Sequence, residues 1–248
     1  CSSDLLNSII GYEVLMRDTQ LTEKQEQYLD IMKDSSETLL NLINQILDIS
    51  KVESGKMRIE EEHFKSRDFF SGILDMFLYG AKNKQVLLSL SVDDTVPDTL
   101  YADAGKLRQI LLNLLSNSLK FTDEGEIHVQ AGFRETVKDL PVLIVSVADT
   151  GCGIRREDLQ RIFQAFEQSG ETAGRLFGGT GLGLTISKSM AEVLGGKLTV
   201  QSKENKGSCF TLEIPVKKGK APVSAGSEKN PWTAQGQALT LLKGKKVL

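Results

Sequence analysis

The chain is poor in the residues that staple or ligate. Its 248 residues include three cysteines, Cys1, Cys152 and Cys209, far apart and without a C-x-x-C pair. That excludes a disulfide framework and argues against a zinc site. A reducing, cytoplasmic setting is the simplest reading. There are two histidines, His63 and His128, which leaves few candidates for histidine chemistry. No apolar run approaches the roughly 20 residues of a membrane span, and no signal-peptide pattern opens the chain. Neither sign of charge dominates: 30 basic against 33 acidic residues give a formal net charge of −3. A nucleic-acid or anionic-membrane partner is therefore not expected. Against these absences stand 40% hydrophobic and 25% charged residues, an ordinary globular balance. The length suits one large domain or two.

Proline is missing from Asp4 to Lys56, and two helical patterns fill that zone. Leu5, Leu6, Ile9, Ile10, Val14 and Leu15 lie roughly on one face of the first. Asp18-Thr19-Gln20 breaks it, and Thr22-x-x-Gln25 reads as a capping box that starts the second. Tyr28, Met32, Leu39, Leu42, Ile43, Ile46 and Leu47 then recur at helical spacing. One narrow hairpin cannot bury both stripes, but two can pair as a four-helix bundle. A homodimer through residues 4–56 is the expectation, with packing against the rest of the chain as the alternative.

From about Ile59 to Lys217 strands and helices mix. Strands are expected at Val86–Val92, Ile127–Phe133 and Val142–Ala148, and a closing hairpin at Leu198–Gln201 and Cys209–Val216. Helices are expected at Gly105–Phe121, Leu159–Phe166 and Leu182–Leu194. Strands follow strands without strict βαβ order, which favours helices on one face of a mixed sheet. The fold class expected for the whole chain is thus α+β: a dimerising helical hairpin in residues 1–58, then an α/β sandwich in 59–217. Residues 218–248 begin as a linker rich in Gly, Ser, Pro and Lys and turn apolar again after Leu239.

Three stretches carry chemistry. In Asn113-Leu-Leu-Ser-Asn117-Ser-Leu-Lys120-Phe121 the two asparagines share a helix face, with Lys120 nearby. Two amide oxygens and an ammonium on one stripe suit a hydrated Mg²⁺ and phosphate oxygens; a solvated face is the plainer alternative. In Asp149-Thr-Gly151-Cys-Gly153 an acid ends an apolar strand before two glycines. A carboxylate there can accept from an exocyclic amine while the glycines let a flat ring approach, although an ordinary turn has the same composition. Gly178-Gly179-Thr180-Gly181-Leu182-Gly183 precedes a helix and offers backbone N–H groups to phosphates. It has neither the lysine of a P-loop nor the preceding strand of a dinucleotide fingerprint. The polar stretch Gln168–Phe177 before it could serve as a lid.

Taken together, in this order, the three resemble the N, G1 and G2 boxes of the ATP-binding domain of sensor histidine kinases, a branch of the fold shared with gyrase and heat-shock chaperone ATPases. Ile162-Phe163-Gln-Ala-Phe166-Glu-Gln168 matches the F box between them. Asn7–Gly11 and Leu39–Gly55 are similar to the family's dimerisation hairpin, and Gly244–Leu248 is similar to the first strand of a receiver domain. The resemblance implies a hybrid kinase of two-component signalling. Its cofactors would be ATP and Mg²⁺, and its partner a response-regulator receiver domain in cis or in trans. It would be cytoplasmic, or the cytoplasmic part of a membrane-anchored sensor. It further implies that Asp149 binds the adenine amino group, with Gly151 and Gly153 beside it. Phe121 stacks near the ring. Asn117 holds Mg²⁺, Asn113 next to it is the one candidate for a catalytic role, and Lys120 contacts phosphate. Gly179, Thr180, Gly181, Leu182 and Gly183 shape the lid and the start of the next helix.

The match breaks at the front. Leu6-Asn7 aligns with the Leu-Asn pair that follows the family's phosphoacceptor, and counting back puts that histidine one residue ahead of Cys1, with Cys1 where an acid belongs. His63 follows an acidic run and His128 lies in an expected strand, so neither is a substitute. The resemblance thus leaves two functions open: a hybrid kinase core whose acceptor histidine lies outside this chain, or a non-catalytic module that binds ATP and dimerises. A chaperone-like ATPase clamp is disfavoured by the hairpin and the receiver-like tail.

Overall fold

A computed structural model describes residues 2–135, 140–165 and 181–219. Helix α1 (Ser2–Arg17) and helix α2 (Glu23–Glu53) pack against each other. The capping box starts α2: the Thr22 backbone N–H donates to Gln25 Oε1 at 2.9 Å. At its other end Gly55 takes φ +63°. The Gly55 and Lys56 N–H groups donate back to Val52 and Lys51 at 2.9 Å, a Schellman ending that a side chain at this φ would strain. Arg17 ties the hairpin, reaching Glu13 at 2.6 Å and Asp30 at 2.7 Å. Leu29 is buried between the helices, while Val14, Leu15, Tyr28, Ile31 and Leu39 stay exposed.

The second unit is built on a five-stranded sheet. Its strands are β2 (Val86–Val92), β4 (Gly125–Arg134), β5 (Val142–Asp149), β6 (Lys197–Lys203) and β7 (Gly207–Pro215), in the order β2-β4-β5-β7-β6. Only the β2–β4 pair is parallel. Helices α3 (Ser66–Asn83), α4 (Ala104–Phe121) and α5 (Gly183–Val193) form the second layer. Period-two alternation selects the face they cover: Ile127, Val129 and Ala131 of β4 and Leu143, Val145 and Val147 of β5 are buried. Leu107, Ile110, Leu111, Leu114 and Leu115 of α4 are buried above them, each contributing about 2 kcal/mol. A smaller sheet of β1 (Glu62–Lys65), β3 (Thr99–Ala102) and β8 (Lys217–Lys218) closes one end, and the Gly219 N–H donates to Thr99 at 2.8 Å. Pairing therefore runs two residues past the boundary expected at 217.

The sheet, its helical face and the closing hairpin agree with the expected sandwich. The helix expected at Leu159–Phe166 does not form across its described part: residues 156–165 are turns. Among the described residues the Asp158, Arg161 and Gln164 N–H groups each donate three residues back, as in successive turns, and the Ile162 N–H donates four residues back to Asp158. Phe166 lies outside the described residues. Helix α3, with Phe69, Phe70, Ile73 and Leu74 buried, and the short strands β1, β3 and β8 are additions to the expected elements.

Candidate nucleotide site

Helix α4 carries the first group of candidates. Asp103 caps its start, accepting from the Lys106 N–H at 2.9 Å and the Lys106 ammonium at 2.6 Å. It also accepts from the Glu60 N–H at 2.9 Å. Burial alone would raise the Asp103 carboxyl, but these donors hold it below its ordinary value. Because the apolar stripe of α4 is locked into the core, Asn113 and Asn117 are fixed at the stripe's edge, both half-buried. Asn113 Nδ2 donates to Ser187 Oγ of α5 at 2.9 Å. A Cβ on Gly183 would overlap the Asn113 side-chain oxygen, so glycine lets the start of α5 close onto α4. Among the described residues the Asn117 amide makes no hydrogen bond. The next turn ends in Lys120, whose ammonium lies 5.0 Å from the centre of the Phe121 ring. Burial pushes that ammonium below its ordinary value.

Asp149 ends β5 within reach of the same helix. Its Oδ2 accepts from Ser118 Oγ at 3.3 Å, and its Oδ1 accepts from the Gly151 N–H at 3.0 Å and the Ser208 N–H at 3.2 Å. Burial raises its carboxyl above the ordinary value, and the two backbone N–H groups and Ser118 counter part of that rise. The following loop lies against the end of α4: the Cys152 N–H donates to the Phe121 carbonyl at 3.2 Å, and a Cβ on Gly151 would overlap that carbonyl. Gly153 follows at φ +67°. Burial and the Asp149 charge push the Cys152 thiol up, away from nucleophilic behaviour.

The fold thus brings Asn113, Asn117, Lys120, Phe121, Asp149, Gly151 and Gly153 to one region and sets Gly183 against Asn113. Gly181, at φ +69°, and the buried Leu182 lead into α5. Gly179, Thr180 and the stretch Gln168–Phe177, expected from sequence as a lid, lie outside the described residues. Ser118, Ser187 and Ser208 are site neighbours that the motifs did not single out. Ser118 was findable, since it stands one residue after Asn117. Ser208 was not, because only strand pairing places it opposite Asp149. His63 packs on Tyr101 in the small sheet. His128 bonds Ser89 at 2.8 Å on the sheet face away from the helices.

The arrangement suits a polar ligand with a flat ring. The hydroxyls of Thr122 and Thr185, at the end of α4 and the start of α5, are buried with no partner among the described residues. Unmet polar groups of this kind cost stability unless something binds them. Together with the open Asn117 amide and the half-buried Asp149, they fit the donors and acceptors of a nucleotide and a hydrated cation.

Comparison with known proteins decides the family. Residues 102–218 match the model of the histidine kinase-, DNA gyrase B- and HSP90-like ATPases, and residues 5–55 match that of the His Kinase A (phospho-acceptor) domain. The chain belongs to the histidine kinases. It is 41% identical over 214 residues to hybrid signal transduction histidine kinase L of Dictyostelium discoideum, covering 86% of this chain and 12% of that protein. It is also 41% identical to sensor histidine kinase GacS of Pseudomonas protegens, covering 86% of this chain and 23% of that protein. The chain therefore spans less than a quarter of the length of either relative. The crystal structure of full-length ShkA in complex with AMPPNP superposes with a TM-score of 0.75 at 29% identity, covering 89% of this chain and 45% of that one. Relatives named as kinases do not favour the non-catalytic alternative. The histidine kinase match implies ATP binding by the second unit. Among the described residues no helix is long and apolar enough to cross a membrane.

Proposed function

We propose that this chain is the dimerisation and ATP-binding core of a hybrid sensor histidine kinase in two-component signalling. In this reading residues 1–58 are the dimerising hairpin and the unit from residue 59 transfers the γ-phosphoryl group of ATP to a histidine. The observation that carries it is the Asp149 carboxylate at the end of β5, half-buried and bonded to Gly151, Ser208 and Ser118, the last of these on α4, the helix that carries Asn113 and Asn117. Asp149 takes the adenine amino group, and Phe121 flanks the ring. Asn117 holds Mg²⁺ with Asn113 beside it, and Lys120 meets phosphate. Gly181, Leu182 and Gly183 lead into α5 beside the phosphates. When bound, Mg²⁺ supplies charge neutralisation at the phosphate oxygens. The protein's part is positioning: the buried stripe of α4 holds both asparagines, and α5 is held to α4 through Asn113 and Ser187. The exposed apolar residues of α1 and α2 support a homodimer through residues 4–56, and a receiver domain, in cis or in trans, is the phosphoryl acceptor downstream.

Autophosphorylation tests the reading. Incubated with radiolabelled ATP and Mg²⁺, the 248-residue chain stays unlabelled, because α1 contains no histidine. A chain with a histidine and a glutamate added ahead of Ser2 gains acid-labile label. Absence of label in that extended protein, with nucleotide bound, overturns the catalytic reading.

A further inference from the structure

Helix α4 ends without any of the usual backbone closures. Its capping residue Thr122 is extended, at φ −111° and ψ 112°, so no left-handed residue folds back to meet the last carbonyls. These carbonyls are met from outside. The ammonium of Lys84, the residue that caps α3, donates to the carbonyls of Leu119 at 2.9 Å, Lys120 at 3.2 Å and Thr122 at 3.4 Å. The remaining one, Phe121, accepts from the Cys152 N–H. Two features deliver Lys84 to this spot. Gly80 allows α3 to approach closely, since a Cβ there would sit 3.0 Å from Leu119 Cδ2. Gln85, at φ +58°, then turns the chain off α3 and into β2. An ion pair with the exposed Asp123 at 3.6 Å is a minor partner.

The geometry points to Lys84 as a positioning residue of the nucleotide site. A cation on a helix C-terminus is favoured by the helix dipole, and here it holds the turn that carries Lys120, Phe121 and the anchor for Gly151 and Cys152. Lys84 need touch no ligand; it sets where the phosphate-side lysine, the ring-side phenylalanine and the glycine loop stand relative to Asp149. The inference rests on the nucleotide reading of this site for its functional half, while its structural half stands on the carbonyl contacts alone.

The test compares Lys84→Met, which keeps most of the stem and removes the charge, with Lys84→Arg, which keeps the charge. Circular dichroism first establishes that both fold. Amide hydrogen exchange without nucleotide is then read at Cys152, and calorimetry measures affinity for a non-hydrolysable ATP analogue with Mg²⁺. Loss of a charge-assisted contact of this kind corresponds to about a tenfold effect. Lys84→Met is expected to exchange about tenfold faster at Cys152 and to bind about tenfold more weakly, with Lys84→Arg restoring most of both. Unchanged exchange in Lys84→Met overturns the anchoring. Faster exchange with unchanged affinity overturns the link to the site. If the unmodified chain fails to bind the analogue, the nucleotide reading falls, and with it the positioning role; faster exchange would then support only the anchoring of α4.

Discussion

The side-chain oxygen of Asn113 occupies the place that a Cβ on Gly183 would need. Two helices distant in sequence therefore meet at an amide and a missing side chain, and the Asn113–Ser187 hydrogen bond seals the contact. Gly183→Ala must push α5 off α4. The expected cost is about 1–3 kcal/mol in urea unfolding, with weaker nucleotide binding. Gly132→Ala is the control, since a Cβ at that position would meet nothing within 4 Å. Equal stability of the two variants would refute the close approach.

Asn117 should act through the metal. Asn117→Ala is expected to lose the Mg²⁺-dependent part of ATP-analogue affinity, at least about tenfold, and to match the parent protein when both are measured in chelator. Calorimetry with and without Mg²⁺ reads this directly. A variant that still responds fully to Mg²⁺ assigns the metal elsewhere.

Asp149 gives a pH signature with a definite sign. Burial holds its carboxyl above the ordinary value, and the ionised form is the one that accepts from an amino group. Affinity for adenosine, which carries no phosphate, should be constant above that raised value. It should fall as the pH descends through it, earlier than an ordinary aspartate would dictate. Asp149→Asn should bind weakly with a flat profile, as followed by NMR titration. A sloping profile in the variant would place the titrating group elsewhere.

Asp103 tests the frame beneath the site. Its folded-state value is lowered, so its contribution to stability is present above the ordinary aspartate range and is lost as the pH falls through the lowered value. Asp103→Ala removes the cap of α4 and should cost about 1–2 kcal/mol near neutral pH. The gap between variant and parent should narrow in acid, as measured by thermal unfolding at several pH values. A gap independent of pH would mean that the cap does not act through its charge.

The hairpin predicts association. Tyr12, Val14, Leu15, Tyr28 and Ile31 are each more than half exposed, an apolar surface that a second copy would cover. Light scattering should give a dimer for the whole chain at micromolar concentration and a monomer for residues 57–248. A monomeric whole chain would count against the four-helix bundle.

What the sequence determined by itself is what local chemistry encodes. The capping box at Thr22 and Gln25, the apolar stripe of α4 and the alternation along β4 and β5 are periodic or short-range signals, and each formed close to where it was read. The motif residues were legible for the same reason: asparagines one turn apart share a face wherever that helix goes. The turn segment at residues 156–165 misled, because its apolar spacing is helical while most of its hydrogen bonds among the described residues reach back three residues, as in turns, and one reaches back four. Tertiary structure decided what no window of sequence contains. Strand pairing set Ser208 beside Asp149 across a long chain separation, and helix packing set Gly183 against Asn113. The close approach of α3 to α4 brought the Lys84 ammonium to carbonyls that the end of α4 could not satisfy alone. Each of these partners is selected by a buried polar group needing a hydrogen bond or by two surfaces needing to touch, and those demands exist only once the chain is packed.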